Sequence, residues 1–203
     1  MRKFIDLHLH LDGSVPVATV KKLMKEHNMP ALSDEELRQE LSVDSSCKSL
    51  DQFLEKFALP NKLMQTRHDL ETIVYDLLVE LKQQGLVYAE IRFAPQLHTK
   101  KGLTQEDAIE AVISGLNKFL ADQKKQKTLP ELHAGLILCL MRFADNQKQN
   151  METVKLAKKF LGKGVVGLDL AGAEGPIPNI KYKSFFDQAK KLDVPYTIHA
   201  GEA

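Results

Sequence analysis

Alternating and helical hydrophobic periods divide the chain into short apolar strands separated by amphipathic helices. Phe4 to His10 alternates: Ile5, Leu7 and Leu9 fall on one side, Asp6, His8 and His10 on the other. Ser14 and Pro16 open a helix with Val17, Val20, Leu23 and Met24 on one face. From Asp34 to Leu63, short helical pieces are separated by polar breaks and by Pro60. Asp69 reads as the cap of a helix whose stripe, Leu70, Ile73, Val74, Leu77, Leu78 and Leu81, ends at Gly85. Leu86 to Phe93 is a second strand. The pair Thr104 and Asp107 has capping-box spacing ahead of Ile109, Val112, Ile113 and Leu116, and Lys124-Lys125-Gln126-Lys127 reads as that helix's solvated end. Leu132 to Leu140 is a third strand, followed by a helix from Asp145 to near Gly162. Val165 to Leu170 is the fourth strand. The helical face Tyr182, Phe185, Phe186, Ala189 and Leu192 precedes a fifth, Val194 to His199.

Strands 2 to 5 recur roughly every 30–45 residues, as βα units do. They are short and continuously apolar, as strands buried on both faces of a parallel sheet are. The pattern predicts an α/β fold and one domain over residues 1–203. A helical insertion at about 30–66 is expected to form part of a pocket lid.

Composition narrows the function classes. The 203 residues are 43% hydrophobic and 27% charged, the balance of a globular protein. A net charge of +1 argues against a nucleic-acid groove, which needs a basic face. The apolar run after Met1-Arg2-Lys3 is broken by Asp6, His8, His10 and Asp12, which excludes a signal h-region or membrane span there. Cys47 and Cys139 cannot make a disulfide framework, which fits a reducing, cytoplasmic location. No nucleic acid and no membrane is expected as a partner.

The residues that do not suit a core gather where strands end. His8, His10 and Asp12 close the first strand, and Arg92 the second. Arg142 follows the third, Asp169, Gly172 and Glu174 the fourth, and His199 and Glu202 the fifth. Parallel α/β architectures bind ligands at the carboxyl ends of their strands. His-x-His on a strand puts two imidazoles on one face, where they can share a metal ion. His199 can supply a third ligand, the number that leaves a zinc ion one open position for water. A carboxylate beside such a site, Glu202, can carry protons. His27, His68, His98 and His133 lie off this rim and read as surface or core residues.

Four ordered segments together resemble the adenosine deaminase family of metal-dependent aminohydrolases. They are Asp6-Leu7-His8-Leu9-His10-Leu11-Asp12-Gly13-Ser14, Tyr88-Ala89-Glu90-Ile91-Arg92-Phe93-Ala94-Pro95, Gly167-Leu168-Asp169-Leu170-Ala171-Gly172-Ala173-Glu174 and His199-Ala200-Gly201-Glu202. The resemblance implies a (β/α)8 TIM-barrel type of fold, truncated after about five strands, since such barrels typically need ~250 residues. It implies Zn2+ bound by His8, His10 and His199, and Glu202 as the acid that protonates purine N1. It further implies Asp12 as the contact to a ribose 5′-hydroxyl, Gly172 as a backbone amide meeting purine N3, and His10 as a substrate neighbour. Leu50, Phe53, Leu54 and Phe57 match an apolar gate at the pocket mouth; ordinary core packing gives the same spacing. The implied activity is hydrolytic deamination of adenosine and 2′-deoxyadenosine.

The family's fourth zinc ligand has no counterpart in these 203 residues, so the isolated stretch is expected to be inactive and to self-associate or exchange strands. Adenine or another aminopurine as substrate, and a non-catalytic scaffold, stand as alternatives.

Overall fold

A computed structural model of the chain describes residues 3–125, 130–175 and 177–202. Four parallel strands, β1 (Phe4–His10), β2 (Leu86–Phe93), β3 (His133–Met141) and β4 (Val165–Ala171), form one sheet in the order β1-β2-β3-β4. Helices join them: α1 (Val17–Glu26), α2 (Asp34–Leu41), α3 (Leu50–Leu54), α4 (Ala58–Leu63) and α5 (Arg67–Gln83) between β1 and β2, and α6 (Gln105–Lys125) between β2 and β3. Next come α7 (Gln147–Phe160) before β4 and α8 (Lys183–Lys191) after it. No described helix is long and apolar enough to cross a membrane.

Local chemistry sets the helix boundaries, in two places differently from the expectation. α5 is capped by Thr66, not Asp69: the Thr66 hydroxyl accepts the Asp69 N–H, and the Asp69 carboxylate takes the Thr66 N–H in return. Asp69 is the third residue of a capping box, where a carboxylate also meets the positive end of the helix dipole. α7 is preceded by Asn146 at the cap position rather than by Asp145. Thr104 and Asp107 do exchange reciprocal hydrogen bonds at the start of α6. The end of its basic run, Gln126 and Lys127, lies outside the described residues.

The core lies on both faces of the central strands. On one face Ile91, Phe93, Leu136, Leu138 and Leu140 are all buried, and on the other Arg92, Ile137 and Cys139 are; α5 and α6 pack against each other. Burial on both faces is why β3 reads as an apolar run, whereas β2 carries the polar Glu90 and Arg92 on its second face. β1 differs: Ile5 is 65% and Leu7 55% exposed, because no described element covers that row.

The fifth predicted strand is a single bridge. Leu168 pairs with Tyr196, and the parallel ladder is marked by Leu168 N–H to Pro195 C=O, Thr197 N–H to Leu168 C=O and His199 N–H to Leu170 C=O. The rung between the last two fails because Leu170 donates its N–H to the Asp169 carboxylate at 2.8 Å. The segment therefore runs beside β4 without becoming a regular strand.

Candidate active site

Three imidazoles meet above the sheet. His8 Nε2 lies 2.9 Å and His10 Nε2 3.1 Å from His199 Nε2, and all three ligand atoms lie within 4.8 Å of one another. His8 and His10 stand on β1, while His199 stands beyond β4. In a flat sheet four strand spacings of about 4.8 Å would hold these backbones about 19 Å apart. The sheet therefore curves, and its two flanks bring their side chains together as barrel strands do. Burial, then the neighbouring His199 and Arg92, push His10 down to about 3, and burial first lowers His8 as well. Both stay neutral, the form that binds a metal. Nitrogens on a tetrahedral zinc ion sit about 3.3 Å apart, so the donor set fits such an ion.

A buried ionic network holds the cluster. Arg92 donates to the Asp169 carboxylate at 2.7 Å and to the Leu7 carbonyl at 2.7 Å. His199 Nδ1 lies 2.8 Å from the same Asp169 oxygen, at contact distance rather than in a well-aligned hydrogen bond. Burial opposes the charge on Asp169, but His199 and Arg92 together hold its carboxyl below the ordinary value. A carboxylate behind a histidine ligand fixes the ring's tautomer and orientation. Near His8 the ladder is also interrupted: the register slips between Asp6 and Leu9, and the His8 N–H turns to the Asp6 carboxylate. Such a bulge re-aims the side chains that follow it.

Beside the histidines lies a cavity of about 380 Å3. His10, Asp12, Gly172, His199 and Glu202 all line it, as do Leu50, Phe53, Leu54 and Phe57. The Phe53 and Phe57 rings meet edge to face at 5.5 Å, and Phe57 reaches His10 at 6.1 Å. The apolar spacing survives although α3 passes into a short 3-10 turn at Glu55–Phe57. Gly13 permits this approach, since a β-carbon there would stand 3.0 Å from the Phe57 ring. Gly172 has φ +97°, which favours glycine, and turns the chain from β4 onto the cavity wall. His8 lines a neighbouring cleft together with Glu202.

Asp12 is buried, and burial pushes its carboxyl up to about 6. One oxygen accepts a hydrogen bond from Asn61 at 3.2 Å; the other has no partner among the described residues. Asn61, on α4, was not identifiable from sequence: it sits in an amphipathic helix with no motif around it. Arg92 and Arg142 were placed on the rim by position alone, and both are buried beneath it. Of the remaining histidines, His98 is fully buried and stacks on Phe93, while His27 pairs with Asp69 at 2.8 Å. Cys139 is buried on the cavity wall, and neither cysteine is in a disulfide.

A curved parallel sheet with clustered imidazoles and a carboxylate where its strands end defines the chain as a β/α-barrel type of protein with a hydrolase's site. The family model described as adenosine deaminase matches residues 4–203, and the chain belongs to that family. It is 48% identical over 204 residues to an adenosine deaminase from Haemophilus ducreyi, covering 98% of this chain and 58% of that protein. Among solved structures, Arabidopsis ADAL complexed with IMP superposes with a TM-score of 0.80 at 28% identity, covering 98% of this chain and 58% of that one. A cog1816 amidohydrolase from Burkhoderia ambifaria, solved with bound Zn, shares the fold with a TM-score of 0.79 at 20% identity, covering 97% of this chain and 51% of that one. The chain thus spans little more than half the length of these relatives.

Proposed function

We propose that the protein containing these residues hydrolyses adenosine and 2′-deoxyadenosine to inosine, or 2′-deoxyinosine, and ammonia. One observation carries this reading. Three mutually facing imidazoles stand together, two of them, His10 and His199, on the wall of a cavity that also holds Glu202 and an unpartnered carboxylate oxygen of Asp12. His8, His10 and His199 would hold one zinc ion, which when bound supplies Lewis-acid activation of water near neutral pH. Glu202 delivers a proton to purine N1, so that the ring accepts electrons as water adds at C6 and the amino group leaves as ammonia. Asp12 accepts a hydrogen bond from the ribose 5′-hydroxyl, and the Gly172 amide meets N3. Leu50, Phe53, Leu54 and Phe57, on a helical insertion at about 30–66, close over the base.

Asp12 also sets the substrate class. Its free oxygen is a buried acceptor, and leaving such an atom unsatisfied costs about 1–3 kcal/mol. A hydroxyl satisfies it; adenine offers none there, and a 5′-phosphate would bring like charge. This favours nucleosides over adenine, and also over nucleotides of the kind bound in the Arabidopsis structure.

Among the described residues the cluster offers three metal ligands. The resemblance calls for a fourth ligand beyond these three, so the 203 residues alone are expected to bind zinc without turnover, and the exposed Ile5 and Leu7 support their self-association or strand exchange. The two unpaired cysteines suit a cytoplasmic enzyme.

The test is to incubate adenosine, 2′-deoxyadenosine, adenine and AMP with zinc-loaded protein extended to the length of its relatives, following ammonia and the deaminated product. The nucleosides are expected to convert at rates of order 10 s⁻¹, and Glu202→Gln to remove that activity while leaving zinc bound. Faster conversion of adenine or AMP would overturn the substrate assignment. No conversion of any of the four would leave the scaffold reading.

A further inference from the structure

The segment that carries His199 and Glu202 has one ladder hydrogen bond near its end, from His199 N–H to Leu170 C=O, because the rung before it is lost to Asp169. Side chains from two other loops hold the rest. Arg142, buried just after β3, donates to the His199 carbonyl at 2.5 Å and to the Gly172 carbonyl at 3.3 Å. Its guanidinium also reaches the Asn179 side-chain oxygen at 3.1 Å. The Asn179 amide donates to Glu174 Oε1 at 3.4 Å. The other Glu174 oxygen accepts both the Gly201 N–H at 2.7 Å and the Glu202 N–H at 2.9 Å. These last two are charge-assisted hydrogen bonds, roughly twice as strong as neutral ones. The Glu202 amide, first, and the Gly201 amide hold the Glu174 carboxyl below its ordinary value.

We infer that Arg142, Asn179 and Glu174 form a backbone clamp that positions Glu202, with Glu174 as its principal positioning residue. The clamp grips the turn from both sides: a cation on the carbonyl before it and an anion on the two amides within it. Because Arg142 also binds the Gly172 carbonyl, the turn after β4 and the turn bearing Glu202 are fixed to one another across the cavity mouth. Regular sheet would hold the segment but would also fix its direction. A clamp made of side chains lets the chain leave β4 and still present Glu202 to the cavity. The inference takes the job of Glu202 from the deaminase reading, while the geometry of the clamp is independent of it.

Amide hydrogen exchange on the 203-residue chain tests the clamp without reference to activity. Glu174→Ala is expected to speed exchange at Gly201 and Glu202 about tenfold, with the amides of β3 unchanged. Glu174→Gln keeps a neutral acceptor oxygen and is expected to fall between, at about threefold. Should Glu174→Ala unfold the sheet, which the β3 amides would register, the Gln variant decides. Wild-type exchange at Gly201 and Glu202 in the Gln variant, or in the Ala variant with β3 intact, overturns the proposal. Faster exchange in the Glu174 variants, together with no deamination by the unsubstituted protein extended to the length of its relatives, would instead count against the deaminase reading alone.

Discussion

The middle of the sheet and its flanks are built by different rules. β2 and β3 pair in unbroken register from Tyr88–His133 to Phe93–Leu138, over a face of buried apolar side chains from Ile91 to Leu140. On either flank the ladder breaks beside the site, and each time an aspartate takes a backbone N–H: Asp6 from His8, and Asp169 from Leu170. The middle strands supply the replacements. Arg92 on β2 binds the Leu7 carbonyl left outside the ladder, and Arg142 after β3 binds that of His199. Regular pairing gives stability, and irregular pairing gives direction. The candidate ligands all stand on the irregular strands, where backbone bonds are exchanged for side-chain bonds that aim three rings at one point.

Truncating each region separates these roles. Leu138→Ala, in the middle, is expected to cost about 2–5 kcal/mol of unfolding free energy through a buried cavity. Tyr196→Ala, on the flank, removes a half-exposed ring packed 4.9 Å from Phe186 and is expected to cost about 1 kcal/mol or less. Equal costs in denaturant titrations would erase the distinction.

A pH-dependent effect belongs to the middle alone. His98, stacked on Phe93, is pushed by burial down to about 4. Its folded value lies below the ordinary 6.5, so between those values the unfolded chain binds more protons and stability falls as pH falls. Compared with His98→Leu, the wild type is expected to lose about 2 kcal/mol between pH 7 and pH 5. A pH-independent difference between the two would show that His98 is not held neutral by the core.

The middle of the sheet was legible in the sequence because β3 is a nearly continuous apolar run and β2 keeps an apolar residue at every other position. The site's composition was legible for a similar reason: histidines and acids at strand ends contradict a core and stand out. What the pattern could not carry was the exchange of partners. Val194 to His199 reads as a strand like the others, yet Asp169 removes a rung, and one side-chain hydrogen bond leaves no periodic trace. Arg142 and Arg92 read as rim residues, since position along a strand does not reveal that a long side chain reaches across to neighbouring segments. Asn61 carried no signal, being one polar residue in a helix where polar residues are common.

The central claim is that the broken flanks converge to hold one metal ion. Calorimetric titration of the 203-residue chain with zinc tests it most directly. One ion per chain is expected to bind, with binding lost in His199→Ala and weakened about 10–100-fold in Asp169→Asn, which leaves the ligands but loosens the ring behind them. Zinc binding that survives His199→Ala unchanged, or no binding by a chain whose sheet is intact, would contradict the account.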